Sequence, residues 1–420
     1  MPEIILSINA GSSSVKISVY KTPSDSNTTT PIQLAEATVE GLTAPPAKLK
    51  YSRGSESIKD KELDDITSQE DGFRYILDHL TSDPGLPELN KKEDIHFTCH
   101  RVVHGGDYPR SQVIDPKTYH HIEALSDLAP LHNAPALTIV RAVASILPRA
   151  KNIAYFDSAF HSTLPDYIST YPIDQTIASK NKLRKYGFHG ISYSFIVHAV
   201  ASYLEKPVNE VNIIALHLGS GASACCIRHG KSLDTSMGLT PLAGLPGATR
   251  SGSIDPSLMF HFTHQAGAPS RSSSEKMHIT QAEEILNKQS GWKSLTGTTD
   301  FGAISKSDRA EDVLAFRIMV DRIVNYVAPY FVKLDGEVDA LVFAGGIGER
   351  GGELRRAVVE GVRCLGFKVD EERNGKGVED VVTDISAEGA RFKTLVVKTD
   401  EQLEMARGVL VDKDRFVGKE

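Results

Sequence analysis

The chain has 420 residues, of which 40% are hydrophobic and 24% charged, with a formal net charge of -7. That length exceeds what one core sustains, so two domains are expected. The acidic balance gives no electrostatic reason to bind nucleic acid or an anionic membrane surface, and no apolar run approaches the ~20 residues that span a bilayer.

Ile4 to Asn9 reads as a buried strand that enters Ala10-Gly11-Ser12-Ser13-Ser14-Val15-Lys16, with a second β-prone run from Ile17 to Tyr20. Small side chains let backbone N–H groups close around phosphate oxygens. Asn9, Ser12, Ser14 and Lys16 add hydroxyls, an amide and an ammonium, so this strand–loop–strand hairpin points to a phosphotransferase. The first residues lack the basic stretch of a signal peptide, and a cytoplasmic protein is expected. Thr22 to Pro31, rich in Thr, Ser, Asn and Pro, reads as an exposed hairpin tip.

His96 to Cys99 leads into His100-Arg101-Val102-Val103-His104-Gly105-Gly106, a strand ending in a glycine turn. His100 and His104 sit on that strand without the Glu of a metalloprotease helix, and no zinc site is expected. Asn133 is expected to cap a helix with Pro135 in its first turn and Leu137, Ile139, Val140, Val143 and Leu147 on one face. Ile153 to Phe156 is another buried strand, and it delivers Asp157 to its C-terminal end. A carboxylate there can cap a turn, orient a cation or hold magnesium. His189, between Gly187-Phe188 and Gly190, projects from a turn, and Ser192 is read as the cap of a helix running to Leu204.

Half the chain later the opening device recurs. Ile213 to Leu218, containing His217, runs into Gly219-Ser220-Gly221 and then an apolar run, Ala224 to Ile227. Two copies suggest two similar domains, each offering a loop to one ligand held between them. Arg250 lies in Gly247-Ala248-Thr249-Arg250-Ser251-Gly252, and like Arg101 it has tight-turn glycines nearby. A guanidinium suits phosphoryl transfer because its planar fork grips anionic oxygens twice and stays charged. Ala268 to Glu275 is a polar surface loop, and Glu311 to Leu334 is helical, with Pro329 predicting a kink or break near its end.

Ala340 to Ala344 is a strand followed by Gly345-Gly346-Ile347-Gly348-Glu349-Arg350-Gly351. With Asp370 about 20 residues on, this also matches a dinucleotide fingerprint, but the remaining chain is short for a second mononucleotide half. A loop at a helix N-terminus for nucleotide phosphate or nucleoside is preferred. Glu401 to Leu410 is helical, and Glu401 at its start serves either the helix dipole or a metal. Cys99, Cys225, Cys226 and Cys364 have no metal-ligand spacing and read as buried, reduced thiols. Strands feeding glycine loops and then helices make the fold α/β.

In this order and spacing the motifs resemble the acetate kinases, of the acetokinase group within the sugar kinase/Hsp70/actin superfamily, over nearly the whole chain. Asn9 to Lys16, His100 to Gly106, Leu131-His132-Asn133, Phe156 to His161, Gly187 to Gly190, Asp234 to Gly238 with Thr240-Pro241-Leu242, Thr249 to Gly252 and Gly345 to Glu349 carry the likeness. The resemblance implies two ribonuclease H-like domains with an interdomain cleft: 1–160, completed by a C-terminal helix 403–420, and a nucleotide-binding domain 161–402. It implies reversible transfer of the ATP γ-phosphoryl group to acetate, giving acetyl phosphate and ADP, with Mg2+ or in its place Mn2+, in a homodimer for which the 311–334 helix is a candidate packing element. Arg101 and Arg250 would hold the acetate carboxylate and the phosphoryl group, His189 would donate to a phosphoryl oxygen, Asp157 would orient the centre, and Asn9 and Glu401 would serve the metal. Asn9, Ser12, Ser14 and Lys16 would face phosphate. Val103, Leu131, Phe188 and Pro241 would take the methyl group, with propionate a slower acceptor. His217, Gly219, Ser220, Gly221, Asp300, Phe301, Gly302, Gly346, Ile347 and Gly348 would bind the nucleotide.

The departures lie mainly on the nucleotide side. Ser220 stands where the family usually has Asn, Gly302 where it has Arg, Arg350 where it commonly has Asn, and Tyr193 where it commonly has His. They leave base selectivity and the phosphoryl donor open, pyrophosphate included. Two other classes are weighed against the kinase: a non-catalytic nucleotide-operated clamp, and a nicotinamide or flavin oxidoreductase.

Overall fold

A computed structural model describes residues 2–11, 13–25, 28–125, 130–273 and 279–418, the side chains of 130–132 excepted. The chain divides into two compact units, Met1–Ala159 with Asp400–Glu420, and Phe160–Thr399.

The first unit holds strands β1 (Ile4–Ala10), β2 (Ser14–Lys21), β3 (Ile32–Glu40), β4 (Ala47–Arg53), β5 (Glu56–Leu63), β6 (Ile95–Val102), β7 (Gln112–Val113) and β8 (Lys151–Phe156), ordered β5-β4-β3-β2-β1-β6-β8-β7. β1 and β2 are antiparallel, with Asn9 opposite Lys16, whereas β1, β6 and β8 run parallel. The 22–31 segment joins antiparallel β2 and β3, and its described tip residues Ser24, Asp25 and Thr28 are exposed. On one side, helix Gln69–Thr81 is capped by Ser68, whose Oγ accepts from the Asp71 N–H at 3.1 Å, and buries Phe73, Ile76, Leu77 and Leu80. Each such side chain contributes ~1.5–3 kcal/mol by leaving water. Helix Glu401–Val411 meets β1 through a two-way contact: the Ser7 hydroxyl donates to the Gln402 carbonyl at 2.8 Å, and Gln402 Nε2 donates to the Ser7 carbonyl at 2.9 Å.

The second unit repeats the topology. Strands β9 (Ile213–Leu218), β10 (Ala222–Arg228), β11 (Lys231–Thr235), β12 (Ala340–Ala344), β13 (Val382–Asp384) and β14 (Lys393–Val397) order as β11-β10-β9-β12-β14-β13. Antiparallel β11, β10 and β9 again meet parallel β12 and β14. Five consecutive buried residues in β12 show why it reads as an unbroken apolar run: both faces are covered.

Four local expectations are corrected. Asn133 does not cap a helix, since the helix is Pro130–Ile146 with Pro135 inside it. The buried Asn133 amide instead bridges the His104 backbone, accepting from its N–H at 3.0 Å and donating to its carbonyl at 3.0 Å. Ser192 lies within helix Gly190–Tyr203, whose N-cap is His189. Helix Ala310–Lys333 runs on through Pro329, held by buried Ile323, Val327 and Tyr330. Cys99, Cys225 and Cys226 are buried thiols, but Cys364 is exposed. Among the described residues no helix is long and apolar enough to cross a membrane.

Candidate active site

In the first unit, parallel pairing places Val102 beside Phe156, so β6 and β8 end together, and Arg101 and Asp157 meet there. Arg101 Nε donates to both Asp157 oxygens at 3.1 and 3.2 Å, and Nη2 donates to Oδ2 at 2.8 Å. Nη1 donates to Glu401 Oε2 at 2.8 Å from the first turn of its helix. Asp157 is 1% exposed, against 19% for the Arg101 side chain. Burial alone would lower the Arg101 pKa, but the charges of Asp157 and Glu401 outweigh it and raise it. Arg101 is therefore permanently cationic and aimed by two carboxylates. Asp400 caps the same helix by accepting from the Leu403 N–H at 2.8 Å, and burial pushes its carboxyl pKa up.

The phosphate-type loop closes on itself, with the Gly11 N–H donating to the Ser14 carbonyl at 2.9 Å. Asn9 and Ser14 are half-buried beside it. Lys16 turns to Glu36, pairing at 2.9 Å. Val103 follows β6 and is half-buried. Ser12 and the Leu131 side chain lie outside the described residues.

In the second unit, the β9–β10 turn is Gly219 to Gly221, and the Ser220 carbonyl accepts from the Ala248 N–H at 2.8 Å. That bond ties the turn to the loop carrying Arg250. A Cβ at Gly221 would lie 3.1 Å from Arg250 Nη1 and 3.7 Å from His189 Nε2, so both groups converge on the bare backbone of this glycine. His189 is left-handed, with φ of 61°, and its ring lies 4.2 Å from that of His217. His189 Nδ1 is 2.8 Å from Ser223 Oγ, and His217 Nδ1 is 2.7 Å from Ser192 Oγ. Behind the turn, His161 Nε2 donates to the Phe188 carbonyl at 2.9 Å, and Nδ1 meets Ser232 Oγ at 2.7 Å. Burial pushes His161 down to about 4, so the ring is neutral near pH 7. Gly187, with φ of +78°, has no room for a Cβ against that ring and Thr235. Phe188 and Pro241 are both buried in this unit.

Beside the turn lies a cavity of about 530 Å³. Gly219, Ser220, Asp300, Phe301, Gly302, Gly346 and Ile347 line it, as do Lys306 and Arg350, whereas His217, Gly221 and Gly348 do not. Asp300 also caps the short helix Phe301–Ile304, accepting from the Ala303 N–H at 3.1 Å. Arg350 folds back so that its Nη2 lies 3.0 Å from where a Gly346 Cβ would stand. Trp292 spans from the Arg250 loop to the cavity rim: its backbone N–H donates to the Gly247 carbonyl at 3.2 Å, and its indole Nε1 donates to the Thr299 carbonyl at 3.2 Å. The site roles of Ser223 and Ser192 escape the sequence because each meets its histidine only through a long-range contact, and Lys306 joins the cavity wall with no motif around it.

Guanidinium and imidazole N–H groups such as these can hold anionic oxygens. Residues 4–407 match the acetokinase family. A probable acetate kinase of Emericella nidulans is 56% identical over 408 residues, covering 96% of each chain. Among solved structures, a propionate kinase from Francisella tularensis is 33% identical with a TM-score of 0.83, over 96% of this chain and 98% of its own. An acetate kinase from Porphyromonas gingivalis is 31% identical with a TM-score of 0.81, over 97% and 99%. The α/β fold with its repeated sheet topology is thus that of the acetate and propionate kinases. This chain belongs to the acetokinase family, and it is a phosphotransferase with a carboxyl group as acceptor.

Proposed function

We propose that the chain is an acetate kinase that reversibly transfers the γ-phosphoryl group of ATP to acetate, giving acetyl phosphate and ADP by direct in-line displacement. The observation that carries this reading is the convergence of Arg250 and His189 at the glycine turn beside the cavity. Two N–H donors there suit equatorial phosphoryl oxygens, where negative charge spreads in the transition state. Arg101, aimed by Asp157 and Glu401, is assigned to the acetate carboxylate, and the roles of Val103, Phe188 and Pro241 toward the methyl group are carried over from the family resemblance. Acetate is already ionised at neutral pH, so positioning and charge neutralisation carry the reaction and no general base is needed.

The nucleotide is assigned to the cavity, whose size suits a nucleoside. Asn9, Ser14 and Lys16 are assigned to phosphate. For magnesium, the donor chemistry fits. Asn9 and Glu401 offer hard oxygen atoms, and Glu401 starts a helix packed on β1 through Gln402 and Ser7. Mg2+ takes one or two carboxylates and fills its other positions with water and phosphate. It would supply neutralisation of phosphate charge when bound. A homodimer in the cytoplasm completes the reading, and exposed Leu314 and Val332 support helix Ala310–Lys333 as its packing element.

Trapping acyl phosphate as its hydroxamate tests the proposal, with acetate or propionate as acceptor and ATP or pyrophosphate as donor. Acetate with ATP is expected to give the most product. Propionate is expected to be slower, because one extra methylene in a filled pocket costs ~1–3 kcal/mol. Folded protein that forms no product with any donor would be a clamp and not a kinase.

A further inference from the structure

His189 ends a buried chain of hydroxyls that the assigned reaction does not use. The Tyr193 phenol and Ser223 are each 0% exposed, and their oxygens are 2.5 Å apart. Ser223 Oγ in turn lies 2.8 Å from His189 Nδ1. The direction of these bonds follows from counting donors. Among the described residues the phenol has one side-chain partner, Ser223 Oγ. Buried hydroxyl protons are placed on acceptors, so Tyr193 donates to Ser223. The Ser223 proton then goes to its other partner, His189 Nδ1.

A neutral imidazole that accepts at Nδ1 carries its proton at Nε2. The Nε2 edge faces the Gly221 turn, where Arg250 Nη1 also points. We propose that Tyr193 and Ser223 are positioning residues whose hydroxyl relay locks His189 as the Nε2–H tautomer, a fixed donor toward an anionic oxygen of the transferring group. From the other side, His161 pins the Phe188 carbonyl and so the left-handed turn that presents the ring. The catalytic consequence rests on the assignment of His189 to the phosphoryl group. The tautomer does not.

The test uses the full chain labelled with ¹⁵N-histidine, with His189 identified by its loss in His189→Gln. The expected pattern is an unprotonated Nδ1 and a protonated Nε2; the reverse pattern overturns the proposal. In Tyr193→Phe and Ser223→Ala the two nitrogens are expected to move toward averaged shifts, and kcat to fall on the order of 10-fold with both KM values unchanged. Ser223→Thr keeps the hydroxyl and is expected to restore both readouts. Ser223 sits in β10, so its Ala and Thr variants keep the test open should Tyr193→Phe melt early. Wild-type kcat in a folded Ser223→Ala protein would sink the relay. Absence of acyl phosphate from wild type would sink the kinase reading, while the nitrogen shifts still decide the tautomer.

Discussion

Asp157 grips Arg101 from the side, taking Nε and Nη2 together while Glu401 takes Nη1. One buried carboxylate thus sets the plane of the guanidinium, and a second sets its rotation.

Asp157→Asn keeps the shape and removes the charge. The variant is expected to lose ~2 kcal/mol of stability in urea melts, since charged hydrogen bonds are lost and Arg101 keeps only Glu401. KM for acetate is expected to rise more than KM for ATP. Equal KM values to wild type would detach Asp157 from the acceptor side.

Arg250→Ala is expected to lower kcat by on the order of 10² to 10³ while changing ATP affinity little, because its donor acts on transition-state charge. Steady-state kinetics with nucleotide binding measured separately decides this. Weak binding at unchanged turnover would move Arg250 to the nucleotide.

Two glycine variants should separate function from folding. Gly221→Ala adds a Cβ against the ends of Arg250 and His189, which can shift, so stability is expected to hold within ~0.5 kcal/mol while kcat falls by more than about 10-fold. Gly187→Ala meets Thr235 Cγ2 at 2.5 Å and the His161 ring at 2.7 Å with φ of +78°. It is expected to cost ~3 kcal/mol. Matched melting temperatures for the two variants would contradict both.

Acid should act on the fold through two neutral histidines. His100 and His161 are each pushed by burial down to about 4 and are 2% and 1% exposed. Unfolding returns each toward the ordinary histidine value near 6.5, so between about 6.5 and 4 the unfolded chain binds more protons and stability falls as pH falls. The slope is at most about 1.4 kcal/mol per pH unit for each residue. Melts of wild type and His161→Gln between pH 7 and 5 are expected to converge as pH falls. Parallel curves would contradict the burial argument.

Arg350→Asn is expected to raise KM for ATP about 3- to 30-fold, the loss of one cationic contact with a base or phosphate, with kcat retained. No change would leave Arg350 a bystander on the cavity wall.

Much of the site could be read from local pattern. The two hairpins show because apolar strands on either side of Gly and Ser are short-range signals. Asp157 ends an apolar run and Arg101 stands near the end of a strand marked by the glycine turn after it, and parallel strands bring such ends together. What stayed hidden depends on contacts between distant segments. The match of Asn133 to the His104 backbone has no periodicity to betray it, so the residue passes for a helix cap. Ser192 likewise looks like a cap until β9 brings His217 to it. Lys16 reads as a phosphate ligand, but only the β2–β3 register reveals Glu36 within its reach. Pro329 reads as a breaker because local rules omit the packing of Val327 and Tyr330.

The lone indole of the chain is stitched at one end to the Arg250 loop and at the other to Thr299 on the cavity rim. Its emission is therefore a native optical gauge placed where nucleotide arrival and rearrangement of that loop would both register. Rapid-mixing fluorescence could time each event in the unmodified enzyme, with no dye attached.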